Sequence, residues 1–202
     1  MSTVVLERGD ISFFYRPAVQ KADAFAEVKP GGVQSFFMVL SRRGVHRRVR
    51  VGRKRMPAPT GERFWARVER VGSLQRVLAD QLESEQYSTK TRGERYQPGA
   101  RAIAQGCYAF VRHEDHVHLV YRVDLEEPDA PDEVRVPEAM SHIVLFERVP
   151  RGRATWTTEG DPALLDDEGY ELVLVGVDDE PERELGIDVL PARDGDTANF
   201  SA

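Results

Sequence analysis

The sequence contains a single cysteine, Cys107, so an intramolecular disulfide and a cysteine-built zinc framework are both excluded. No apolar run approaches the roughly 18 residues that a bilayer-spanning helix requires. The opening Met1-Ser2-Thr3-Val4-Val5-Leu6-Glu7 has neither the basic n-region nor the apolar h-region of a secretory signal. These absences together predict a reducing, cytoplasmic setting and no membrane partner. Repeats of fixed period and low-complexity tracts are lacking as well. No P-loop, RNP, KH or zinc-knuckle pattern is present, so a positively charged segment has no standard nucleic-acid motif around it.

What the sequence does have is charge, unevenly placed. The 202 residues carry a net charge of −6. Residues 41–101 hold 16 Lys/Arg against 6 Asp/Glu, and residues 102–202 hold 8 against 24. A modest net value thus conceals a basic block followed by an acidic one, a pattern found where nucleic acid, anionic surfaces or internal pairing are involved. With 41% hydrophobic residues the length supports one sizeable core. The expected organisation is one globular domain over 1–190 and a flexible tail of small, polar residues over 191–202.

Alternation and turn signals predict strands at 11–16, 34–40, 46–55, 103–112, 116–125, 141–149 and 171–177. Residues 64–71 fit either a strand or a helix. Ser73 reads as an N-cap for a helix near 73–84, because Leu74, Val77, Leu78 and Leu82 recur at helical spacing. Residues 87–101 are polar and aperiodic and read as a loop, as do the acidic residues 126–138. Thr155-Trp156-Thr157 reads as a brief pairing segment, and Glu182–Ile187 as a short helix stopped by Gly186. Strands that are not separated by helices argue against a doubly wound parallel sheet. The expected class is α+β: a mainly antiparallel sheet of seven or eight strands, a partial barrel or a sandwich, with one main helix.

Two segments carry candidate chemistry. The first is basic: Arg42, Arg43, Arg47, Arg48, Arg50, Arg53, Lys54 and Arg55, followed by Lys90, Arg92, Arg95 and Arg101. Arginine's planar fork suits bidentate contact with phosphate or carboxylate. Gly93 lies between Arg92 and Arg95 in a loop suited to gripping an anion. Tyr15, Tyr87, Tyr96 and Trp65 are available as stacking faces, which single-stranded RNA binders use. The bland alternative is a solvated basic strand face paired with the protein's own acidic half.

The second segment is His113-Glu114-Asp115-His116-Val117-His118. A two-residue turn at Glu114-Asp115 sets His113 opposite His116 and Val111 opposite His118. His113, His116 and His118 then share one face, and Tyr108, Phe110, Val117, Leu119 and Tyr121 share the other. Histidines two apart on a strand, with a third across the ladder, can chelate Zn²⁺ or another divalent metal. Ordinary surface histidines are the competing reading. The spacing does not match the His-x-His-x-Asp-His order of metallo-β-lactamases. Glu182–Ile187 resembles the end of a Nudix box but lacks its opening Gly. Cys107 sits inside a strand without an activating helix terminus. Trp65 and Trp156 read as core or rim, and Met38 as core.

Six segments resemble an uncharacterised family of bacterial conserved hypothetical proteins: 8–17 (RGDISFFYRP), 51–57 (VGRKRMP), 64–68 (FWARV), 89–95 (TKTRGER), 113–119 (HEDHVHL) and 168–176 (EGYELVLVG). The resemblance spans most of the chain. It implies a bacterial, single-domain, cytoplasmic protein and carries no assigned reaction or ligand. The favoured expectation is a non-enzymatic binding protein whose Arg-rich surface engages RNA, another polyanion or an acidic protein partner, without a cofactor. The alternative is a metal-dependent enzyme built on the histidine hairpin.

Overall fold

The computed structural model describes residues 3–21, 32–148 and 155–185. The expected tail at 191–202 and the stop at Gly186 lie outside the described residues. In chain order the elements are β1 (Thr3–Pro17), β2 (Gln20–Lys21), β3 (Val33–Arg42), β4 (Val45–Val51), β5 (Arg63–Gly72), α1 (Leu74–Leu82), β6 (Glu85–Thr89), β7 (Gly93–Gln97), β8 (Arg101–His113), β9 (His116–Glu126), β10 (Ala139–Arg148), β11 (Thr155–Thr157), β12 (Glu171–Asp178) and α2 (Pro181–Leu185). Short 3-10 turns cover Asp132–Val134 and Pro162–Asp166.

Eight of these strands close a barrel. The hydrogen-bonded order β10-β12-β5-β4-β3-β1-β8-β9 returns to β10, and β11 adds to the side of β10. Every pairing in the ring is antiparallel. Two meanders, β1-β3-β4-β5 and β8-β9-β10-β12, join along β1–β8 and β5–β12. The barrel is therefore closed rather than partial. Closure removes the two exposed sheet edges that an open sheet would present.

Strand alternation fills the inside. Ile11 and Phe13 of β1, Phe36, Met38 and Leu40 of β3, Val49 of β4, Val68 of β5, Tyr108 and Phe110 of β8, Val117, Leu119 and Tyr121 of β9, and Val144 and Phe146 of β10 are all at most 1% exposed. An eight-stranded barrel is just wide enough for such side chains to fill it, so the interior is a packed core and not a channel. Each buried Phe or Leu contributes on the order of 2 kcal/mol. Phe13 and Tyr121 meet edge to face across this core at 5.0 Å.

Two sectors of the outer wall are roofed by helices. α1 begins at Ser73, whose hydroxyl accepts from the Arg76 amide at 3.3 Å, as the N-cap reading expects. Val77 and Leu78 pack on the outward Phe14, Phe37 and Val39. Arg16 donates to Glu83 O and Asp80 O and so satisfies carbonyls at the end of α1. Leu185 of α2 covers Cys107, Ala109, Val111 and Val120.

The segment read as a polar loop at 87–101 is instead a β-ribbon, β6–β7, with β2 as a third strand. No described helix is long and apolar enough to cross a membrane.

Candidate polyanion-binding surface

The basic segment does not stay together. Arg47 shares strand parity with Val49 and Val51 and points into the end of the barrel, where it is 2% exposed. Its guanidinium donates to Glu7 Oε1 at 2.6 Å, Glu7 Oε2 at 3.2 Å and Asp166 Oδ1 at 2.7 Å. Burial disfavours its charge, but the hydrogen bonds to Asp166 and Glu7 outweigh that and hold Arg47 more firmly protonated than a free arginine. Glu7 also accepts from Arg42 at 2.7 Å and from the Tyr108 hydroxyl at 2.6 Å.

Arg48 faces outward yet lies under α1. It donates to Val77 O at 2.7 Å and to Asp80 Oδ2 at 3.0 Å, and pairs with Glu69. The hydrogen bond from Arg48 is the chief reason that the Asp80 carboxyl is held down to about 2. Burial of Arg47 and Arg48 thus corrects the expectation that these two arginines contact a polyanion. Both are structural ion-pair members, enclosed by their own chain, and an external polyanion has no access to them.

The remaining cations of this segment divide in two. Arg42 is held by Glu7, Arg50 by Glu69, and Arg55 by Glu62 in a fork of two 2.8 Å bonds. Lys54 donates to Val33 O at 2.6 Å. Arg43 and Arg53 are exposed. By register, Arg42 and Arg43 lie at the Thr3 end of the barrel, while Arg53, Lys54 and Arg55 lie at the Pro17 end.

The ribbon projects at this second end. Lys90 and Arg92 are exposed and Arg95 is half-buried. Among the described residues none of the three forms an ion pair. Arg95 stands directly between Lys21 of β2 and Tyr87 of β6, and opposed residues share a face. Tyr87 is 42% exposed. Gly93 takes a left-handed φ of +67° that lets the turn close, and the Thr89 hydroxyl accepts from the Arg92 amide at 3.1 Å. At the base, the buried Gln97 amide donates to Pro17 O at 2.8 Å and Pro98 O at 3.1 Å. A small sheet with no covered face is marginal alone, so these anchors fix it to the barrel.

The histidine hairpin forms in the expected register, with His113 opposite His116 and Val111 opposite His118. Glu114 supplies the positive φ, +56°, that the two-residue turn demands. The rings of His113 and His116 lie 6.2 and 6.4 Å from that of His118. Their nitrogens are partly committed elsewhere. His113 Nδ1 meets the Thr3 hydroxyl at 3.2 Å, His118 Nδ1 meets the Ser141 hydroxyl at 2.9 Å, and His116 Nδ1 meets Asp115 at 2.6 Å. Among the described residues no group of three His, Cys, Asp or Glu is placed to hold a metal ion.

Trp65, read as core or rim, is 57% exposed on the outer wall, and the exposed Arg63 and Arg67 flank it on the same strand face. The signal was the strict alternation of Arg63-Phe64-Trp65-Ala66-Arg67, in which Phe64 and Ala66 take the inside. Comparison with known proteins found no matching family model, no matching curated protein and no matching solved structure.

Proposed function

We propose that this is a non-enzymatic, cytoplasmic binding protein, akin to the bacterial family it resembles, that engages RNA or another polyanion through the β6–β7 ribbon. The observation that carries this reading is the contrast between two sets of cations. Those on β4 are neutralised by Glu7, Glu69, Asp80 and Asp166. Lys90, Arg92 and Arg95 stand on a projecting ribbon beside Tyr87 and, among the described residues, have no carboxylate partner. Cations already paired have little to gain from a phosphate, whereas solvated ones release counterions when they meet it. The exposed Arg53 at the same end extends the positive surface.

The test is binding of a labelled single-stranded RNA, followed by anisotropy across a salt series. The triple variant Lys90→Glu/Arg92→Glu/Arg95→Glu is expected to weaken binding at least tenfold. It is also expected to flatten the slope of log K against log salt by about 2, since each phosphate contact on a single strand contributes about 0.7. Arg43→Glu, at the opposite end of the barrel, is expected to change neither. Binding by the triple variant equal to that of the parent would remove the ribbon from the reading. Absence of salt-dependent binding in the parent protein would remove the reading itself.

A further inference from the structure

Beyond the stretches where α1 touches β5 and α2 touches β10, one sector of the barrel wall has no helix packed on it among the described residues. It is formed by β5, β12 and β10, with β11 at its side. Its outward residues follow from register: Trp65 opposite Val173, Val173 opposite Leu145, and Trp156 opposite Glu147. Trp65 and Trp156 meet edge to face, with ring centroids 5.5 Å apart at 68°. Edge-to-face packing leaves a large part of the Trp65 ring open to solvent, consistent with its 57% exposure.

The chemistry around the pair has a sign. Arg63 and Arg67 lie two residues to either side of Trp65, about 6.5–7 Å along the strand. Among the described residues neither forms an ion pair. Arg50 of β4 lies opposite Arg67 and is paired with Glu69. On the other flank stand Glu171, opposite Arg67, and Glu147, opposite Trp156. A phosphate chain is therefore favoured along the β5 side, where the arginines are, and repelled from the β12–β10 side. Alternating guanidinium and aromatic groups on one strand match a ligand that alternates phosphate and flat ring.

We infer that Trp65, with Trp156 behind it and Arg63 and Arg67 at its sides, is a base-stacking subsite for single-stranded nucleic acid. This deepens the polyanion reading and rests on it. Arg63 opens β5 at the barrel end that also carries Arg53 and the ribbon, so one strand of nucleic acid can pass from the end of the barrel onto its wall. Stacking on an aromatic face is tolerant of sequence because every base presents a π-face, so the subsite selects bases over bare charge rather than one base over another.

Both tryptophans of the protein belong to this subsite, so intrinsic emission reports on it alone. The experiment titrates the intact protein with a uridine dodecamer, an abasic dodecamer of the same charge, and heparin. The uridine strand is expected to quench tryptophan emission saturably. Heparin and the abasic strand are expected to bind without that quench. Trp65→Ala is expected to weaken uridine binding about tenfold or more while leaving heparin binding unchanged, and Trp65→Tyr is expected to restore most of it. Uridine binding with unaltered emission, or with full affinity in Trp65→Ala, would overturn the stacking subsite and leave the ribbon reading intact. If the parent protein bound none of the three ligands at low salt, both would fall.

Discussion

Replacing Glu7 with alanine is expected to lower the unfolding free energy by roughly 3–5 kcal/mol, the usual loss when one member of a buried ion pair is removed. The Glu7 side chain is 1% exposed and receives four hydrogen bonds, from Arg42, twice from Arg47, and from Tyr108. Its removal leaves the Arg47 guanidinium buried with Asp166 as its remaining carboxylate, and leaves the Tyr108 hydroxyl without its acceptor in the barrel interior. The double replacement Glu7→Leu/Arg47→Met removes both buried charges at similar volume and is expected to recover the part of that loss that comes from the uncompensated guanidinium, while the Tyr108 hydroxyl stays without its acceptor. Urea unfolding followed by circular dichroism measures both. A loss below about 1 kcal/mol for Glu7→Ala would show that the cluster is hydrated rather than buried. A double variant no better than the single one would show that the pair itself, and not the uncompensated charge, carries the stability.

The same cluster marks where sequence reasoning stopped. Parity already set Arg47 with Val49 and Val51 on the inward side of β4, but a run of eight cations argued for solvent. Its partners sit 40 residues before it and 119 residues after it. Only barrel closure brings Glu7 and Asp166 to one place, and no local pattern encodes that closure. The β8–β9 hairpin was legible to the residue because a two-residue turn at Glu114-Asp115 fixes the register of both strands, and with it the inward set Tyr108, Phe110, Val117, Leu119 and Tyr121. The helix after Ser73 was legible for a similar reason, through its cap and its apolar spacing. The ribbon at 85–97 was not, because with both of its faces in solvent no alternation is imposed on it. Trp65 was open between a stacking face and core or rim, and the inward Phe64 and Ala66 on either side of it decide for the outer wall.

The division of charge along the chain also takes on a different meaning. The carboxylates that neutralise the arginines of β3 to β5 are mainly Glu7, Glu62, Glu69 and Asp80, drawn from the first half of the chain. Asp166 and Glu168 are the contributions of the acidic half to these pairs. Among the described residues the acidic half thus supplies the smaller share of these pairs. Among the described residues neutralisation is concentrated on the barrel wall, and the unpaired cations include Lys90, Arg92 and Arg95 of the ribbon and Arg63 and Arg67 of β5, with Arg43 alone of the 42–55 run unpaired at the opposite end. That residue of uncompensated charge, rather than the total, is what a polyanion would meet.

Stability is expected to fall as pH drops from 6.5 towards 4, and over the upper part of that window, above about pH 5, the histidines rather than the carboxylates cause the loss. His118 and His142 are both held down to about 4, chiefly by burial, from an ordinary value near 6.5. His118 is disfavoured further by the neighbouring His113 and His116, while His142 lies inside the barrel, stacked on Tyr121 at 5.8 Å and 3.3 Å from Pro57 O. Within that window the unfolded chain binds two protons that the folded chain refuses, so protonation favours unfolding. Each histidine contributes a slope of up to about 1.4 kcal/mol per pH unit, and the two together approach about 2.7. From about pH 5 downward a separate loss sets in, because the unfolded carboxyls take up protons near their ordinary values while Asp80, held to about 2, and Glu62 and Glu168, both lowered, stay ionised beside their arginines in the folded protein. His142→Phe keeps an aromatic ring beside Tyr121 and removes one of the two early protons. It is expected to cost about 1 kcal/mol at pH 7 through the lost hydrogen bond and to halve the slope between pH 6.5 and 4.5. Denaturant midpoints measured at half-unit pH steps decide the matter: a flat profile from pH 7 to 5 would mean that these histidines are hydrated in the folded protein, and an unchanged slope in His142→Phe would place the early protons elsewhere.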